Sequence, residues 1–404
     1  MNTKTGFLLA LMMFIEYFIW GSWYVTMGTY MTTELGSSGV HIGAAYSALA
    51  IATMISPFFV GMIADRYFAA QKIMGVLHLI GAVLLYVATQ VDTNTSFYWV
   101  ILFYSLLYMP TIALSNSVAF HQMTDPGKQF PWIRVFGTVG WIVAGILINV
   151  LAIEKTESTF IMAAAGSVLL GLLSFVLPNT PPKARTGTSA GKAIGAEAFV
   201  LFYNRPYLIF FIAAILVCIP LSFYYGFANV FLNDLGVDNA ASKMTLGQVS
   251  EAVFILAIPF LFYRIGVKKM ILLGMTAWIL RYVFFAYGDA GENMWMLYAG
   301  IILHGICYDF FFVTGYMYTE KKAGEKIKNA AQGLFTFATY GVGMFIGTWF
   351  SGFITEHYTV NDQENWFRIW LVPAYIAVAV LIYFILLFKE KRDIEVAGHK
   401  NTKN

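Results

Sequence analysis

Apolar residues in this chain come in long runs parted by short polar breaks, without the alternation of membrane-spanning strands. Each run is roughly 20 residues, the length over which an α-helix crosses a hydrocarbon core. Six lie near residues 6–31, 41–63, 72–91, 97–121, 131–153 and 158–177, and six more near 206–232, 244–263, 268–288, 293–318, 329–355 and 366–388. Between the two sets, residues 178–205 form the longest polar stretch inside the chain, with Pro181, Pro182, Lys183, Arg185 and Lys192. The pattern predicts a six-helix half over 1–177, a cytoplasmic linker over 178–205, a second half over 206–388 and a polar cytoplasmic tail over 389–404. The first run is too long for a signal-peptide core and lacks a small-x-small cleavage site, so it predicts a retained helix.

Composition narrows the class further. A chain of 404 residues that is 59% hydrophobic and only 12% charged cannot cover a water-facing surface, so lipid is the solvent for most of it. Net charge is +3, and placing both termini in the cytoplasm gathers most basic residues on that side, among them Arg66, Lys72, Lys128, Lys268, Lys269, Lys321 and Lys322. The opposite loops keep only Lys155, Lys243 and Arg368, which predicts that orientation. Two six-span halves joined by a basic loop predict an all-α membrane protein of the major facilitator fold, with a substrate site between the halves near mid-membrane.

Cys218 and Cys307 lie inside apolar runs and suggest neither a disulfide framework nor a metal site. The chain has no Gly-rich phosphate loop, no Ser/His/Asp arrangement and no HExxH, so neither ATP-driven pumping nor enzyme chemistry is expected. No cofactor and no nucleic-acid partner is expected either.

An ionisable side chain in a span costs several kcal/mol unless paired or hydrated, so each one is a functional candidate. Those singled out are Glu16, Arg134, Glu251, Arg281, His304 and Asp309. Arg134, Thr138 and Trp141 follow at spacings of four and three, putting guanidinium, hydroxyl and indole on one helical stripe. That stripe suits a polar, ring-containing solute, since the guanidinium donates hydrogen bonds while the indole stacks. Helix packing is the plainer explanation of Trp141 and of Thr138 taken singly, whereas Arg134 demands a reason by itself. Gln248 and Glu251, three apart, share a face, while His304 and Asp309, five apart, diverge on a regular helix. Glu251 and Asp309 lead as proton carriers, because a carboxyl group in a low-dielectric span can alternate between charged and neutral forms. The competing reading is a static ion pair with Arg134 or Arg281; Glu16 is a third carrier candidate, or a group paired within the first half. Asp65 and Arg66, with Gly61 and Ala64, look like a reduced major facilitator loop motif that locks the cytoplasmic gate. Gly343 and Gly347 have the small-xxx-small spacing of close helix approach.

Several blocks, in order over nearly the whole chain, resemble the nucleoside:H+ symporter family. They are Trp20–Trp23, Tyr108–Thr111 (YMPT), IRVFGTVGW around Arg134, QVSEAVFIL from Gln248, AWILRYVFFAYGD around Arg281, YDFF from Tyr308 and AQG at Ala331. The resemblance implies proton-driven uptake of neutral nucleosides across a bacterial inner membrane, with Arg134, Thr138, Gln248, Glu251 and Asp309 at binding or coupling positions. It also departs from the family pattern: Trp141 stands where Phe is expected, His304 where Tyr is expected, and Tyr308 where Phe is usual. In span 7, Ser222 and Tyr225 replace amide side chains, while Asn229 is kept one turn on, and Glu16 stands where the family has an amide.

Together these readings predict a monomeric symporter, surrounded by lipid, that binds protons at Glu251 or Asp309. The nucleoside would sit between the halves with its base stacked on Trp141 or Tyr225. A symporter of the same fold for a sugar or other polar metabolite is the first alternative. A membrane sensor without flux is the second, and charged groups within the spans of both halves argue against it.

Overall fold

The computed structural model describes residues 2–59, 68–182, 196–361 and 363–389, and 85% of the described residues are helical. Among the described residues, nine helical stretches are long and apolar enough to cross a membrane. One of them, Met294–His357, leaves helical geometry at Gly324 (φ 65°, ψ 179°), where the chain turns back, so it holds two spans. Only glycine adopts that conformation without strain. Ala240–Ile265 and the shorter Ser158–Ser174 bring the spans to twelve.

The first half contains span 1 (Thr3–Trp23 and Met27–Glu34), span 2 (Gly39–Phe59), span 3 (Ala70–Ala88), span 4 (Asn94–Gln122), span 5 (Pro126–Val150) and span 6 (Ser158–Ser174). The second contains span 7 (Arg205–Asp234), span 8 (Ala240–Ile265), span 9 (Val267–Tyr287), span 10 (from Met294 to Gly324), span 11 (from there to His357) and span 12 (Trp366–Leu387). This is the major facilitator fold expected from the spacing of apolar runs.

Polar side chains close the spans where backbone N–H groups would otherwise meet the membrane interface unpaired. Thr93, Asp125, Asn204 and Asn365 each accept a backbone N–H in the first turn of spans 4, 5, 7 and 12. Span 1 breaks between its two helical pieces, and the carbonyl of Tyr24 there accepts the Tyr46 hydroxyl of span 2 at 2.6 Å. A broken helix is tolerated at membrane depth when protein groups satisfy the exposed backbone in this way. The linker is less irregular than its composition predicts: Ala196–Tyr203 forms a 3-10 turn packed against the polar end of spans 10 and 11.

Large apolar side chains cover the outside of the bundle, including Trp132, Val150, Leu256 and Tyr375. In water such a surface would aggregate; against lipid it is the stable arrangement. Within each half the spans pack closely, and the halves meet along span 1 against 7, span 2 against 11 and span 5 against 8. Where spans 2 and 11 cross, Gly43 faces Gly352 so closely that a side chain on either would strike the other backbone.

Candidate functional site

Between the halves lies a cavity of about 560 Å³. Span 1 contributes Tyr17, Trp20 and Tyr24, at spacings of three and four, so successive turns present an aromatic wall. Trp141 of span 5 meets Trp20 edge-on at 5.5 Å between ring centres, and Tyr225 of span 7 lies 5.4 Å from Tyr24. Rings from both halves therefore line one space, as stacking on a flat solute requires.

Polar groups stand at defined points on this wall. The Arg134 guanidinium lies 4.0 Å from the centre of the Tyr17 ring, and Gly137 one turn on keeps the backbone clear of both. Thr138 and Trp141 extend the same stripe, so the spacing of span 5 predicts its cavity face correctly. From the second half, Gln248 and Glu251 of span 8 enter together, as do His304 and Tyr308 of span 10. The Glu251 side chain is 27% exposed, and its Oε2 lies 3.9 Å from His304 Nε2. Tyr308 and Tyr340 join by a hydrogen bond between their hydroxyls.

Four of the residues predicted from sequence stand elsewhere. Ser222 is fully buried, and its hydroxyl donates to the carbonyl of Cys218 on its own helix at 2.8 Å. Asn229 lies beyond the cavity, where the two halves meet at the end away from the termini. Its Nδ2 donates to Glu154 at 2.8 Å and its Oδ1 accepts from Thr29 at 2.6 Å. Asp309 is wholly buried behind the cavity wall, and neither carboxylate oxygen has a hydrogen-bond partner among the described residues. It opens a π-helical turn, Asp309–Val313, a local widening common at functional sites. Glu16 is buried inside the first half, accepting from Thr111 at 2.6 Å and facing His78 Nε2 at 3.0 Å. Asp65 and Arg66 lie outside the described residues.

The charge inventory of the sequence passed over His78, the ionisable group in the apolar run of span 3. It also passed over Tyr17 and Tyr24, whose spacing with Trp20 was a usable signal.

The cavity reaches Ser56, Asn116 and Thr336, at the ends of spans 2, 4 and 11 that lie on the side of the termini. The opposite end is held shut. There the Glu154 carboxylate of the first half accepts from Asn229 and Asn233 side chains and from the Ala241 backbone, all within 2.9 Å. Glu356 of the second half similarly accepts from the Val40 backbone of span 2, at 3.4 Å.

Comparisons with known proteins agree with this arrangement. The family model described as "Nucleoside H+ symporter" matches residues 1–393. The chain is 40% identical to the putative nucleoside transporter YegT of Escherichia coli K12, covering 98% of this chain and 96% of that one. It is 37% identical to the xanthosine permease of the same organism, covering 97% and 98% respectively. The crystal structure of the nucleoside transporter NupG superimposes with a TM-score of 0.89 at 35% identity, covering 97% of this chain and all of that one.

Proposed function

The chain belongs to the nucleoside H+ symporter family, and from that premise we propose how its own residues carry nucleoside and proton together. It is a transporter, not an enzyme, and it moves nucleosides by proton symport. The observation that carries the residue assignment is the convergence of Arg134 from the first half and Glu251 from the second on one aromatic-lined cavity.

In this reading the nucleobase stacks between Trp141 and Tyr225, and Arg134 and Gln248 donate to its carbonyl or ring-nitrogen acceptors. The ribose hydroxyls bond to Glu251 and its neighbours. Glu251 takes up the coupled proton, and Asp309, behind the wall, is a second carrier. Ionised, either group is costly to carry through the membrane; neutralised by a proton, it can be enclosed as the halves rock. One proton moving down the potential supplies about 2.3 kcal/mol per 100 mV, enough to accumulate an uncharged solute.

The carboxylate latch at one end and the cavity's reach to the other support a state closed away from the termini and open towards them. With both termini in the cytoplasm of a bacterial cell, this is the inward-facing state at the inner membrane. One chain lines the whole cavity, which supports a working monomer.

Glu251→Gln and Asp309→Asn test the coupling. Each is expected to abolish proton-driven accumulation in proteoliposomes, while Glu251→Gln retains exchange of internal for external nucleoside. Full gradient-driven uptake by both variants would overturn the assignment.

A further inference from the structure

Arg281 is fully buried in span 9 and is not among the residues lining the cavity. Its Nη1 lies 3.0 Å from Nδ1 of His304, and its guanidinium lies 3.4 Å from the centre of the Tyr224 ring. A guanidinium carries only donors, so Nδ1 must accept, and the imidazole proton must sit on Nε2. A second proton on Nδ1 would set N–H against N–H and positive charge against positive charge at that distance.

The ring is also held in place. Tyr224 and Tyr308 both stack on it, at 5.2 and 5.6 Å between centres, and its Cβ packs against Gly247 of span 8. The titratable and charged groups around it are Tyr224 and Tyr225 of span 7, Glu251 of span 8, Arg281 of span 9 and Tyr308 of its own span. Among these only the Glu251 carboxylate faces Nε2, and 3.9 Å is too long for a hydrogen bond. Two residues that line the cavity thus present a donor and an acceptor side by side, at a separation that one atom bonded to both would span.

We propose that Arg281 is a positioning residue that fixes His304 as a neutral, single donor into the transport cavity, where it and Glu251 together read one hydroxyl group of the substrate. A hydroxyl accepts from Nε2–H and donates to the carboxylate, whereas a carbonyl only accepts and a nucleobase amino group or an ammonium only donates. The inference rests on the nucleoside reading of the cavity for its substrate, a sugar hydroxyl, but not for the state of His304.

The test has two arms. In the first, the full chain labelled with 15N-histidine is studied in lipid by NMR, with the His304 signals identified by their loss in His304→Gln. Nδ1 is expected to be unprotonated and Nε2 protonated from about pH 5 to about pH 8, the range in which an ordinary imidazole titrates. Protonation at Nδ1, or uptake of a second proton in that range, overturns the proposal. In Arg281→Met, His304 is expected to titrate there, and Arg281→Lys is expected to restore the wild-type pattern; an unchanged spectrum in folded Arg281→Met overturns it. Should Arg281→Met not fold, the wild-type spectrum still decides.

In the second arm, calorimetry compares uridine with its 2′-deoxy and 3′-deoxy analogues. His304→Phe is expected to weaken uridine binding about tenfold, as loss of one buried donor does, and to narrow the preference for uridine over one of the analogues. An unchanged preference overturns the hydroxyl assignment. If wild-type protein binds no nucleoside, the transport reading fails, while the spectrum still reports on Arg281 and His304.

Discussion

Glu16 lies within the first half and does not line the cavity. Its carboxylate accepts from Thr111, faces His78, and its carbonyl accepts from the Tyr108 hydroxyl, tying spans 1, 3 and 4 together. Replacing one member of such a buried set leaves the others without partners, at a cost of about 3 kcal/mol or more. Glu16→Ala is therefore expected to lower the unfolding midpoint in detergent well below that of Glu16→Gln, which can still accept from Thr111; equal midpoints would count against the network. Arg134 is the contrasting case, since it lines the cavity and lies over Tyr17. Lysine keeps the charge but lacks the planar set of donors, so Arg134→Lys is expected to weaken nucleoside binding about tenfold with little change in stability. Binding of wild-type strength in that variant would show that charge alone suffices.

At the scale of helices, the closed end of the molecule has a regularity that residue types alone do not reveal. Glu154, after span 5, caps the start of span 8 in the other half, and Glu356, ending span 11, caps the start of span 2 in return. Each carboxylate meets exposed N–H groups at a helix start, where negative charge is favoured. Glu154 holds three donors within 2.9 Å and Glu356 holds one at 3.4 Å, so the first latch is the stronger. Glu154→Ala should accordingly favour opening at that end more than Glu356→Ala. The readout is the labelling rate of Val25→Cys by a membrane-impermeant maleimide from that side, since Val25 sits behind the latch beside Trp141 and Met244. Equal rates in the two variants would contradict the ranking. How much of the site could be read from sequence also depends on the helix. Regular geometry in spans 5 and 8 carries Arg134, Thr138, Trp141, Gln248 and Glu251 to the cavity at the expected spacings. Span 7 gave no such guide: 72% of its apolar window is buried, so no stripe marks its cavity-lining turn, and Tyr225 lines the cavity while Ser222 bonds its own helix and Asn229 lies one turn beyond, between the halves. In span 10 the π-helical turn starting at Asp309 breaks the period on which such extrapolation relies.

For the molecule as a whole, the order and length of apolar runs carried the twelve-span plan, because lipid requires each span to satisfy its own backbone. What they could not carry was the state: which end is latched depends on contacts between the halves, made by residues far apart in the chain, such as Glu154 with Asn229 and Thr29 with Asn229. Uptake into proteoliposomes tests proton-driven nucleoside transport through the cavity between the halves. Radiolabelled uridine and adenosine are supplied with an inward-directed proton gradient, without one, and with the gradient collapsed by a protonophore. Accumulation above the external concentration is expected only while the gradient lasts. Equal uptake in all three conditions, or none by demonstrably folded protein, would contradict proton-driven transport.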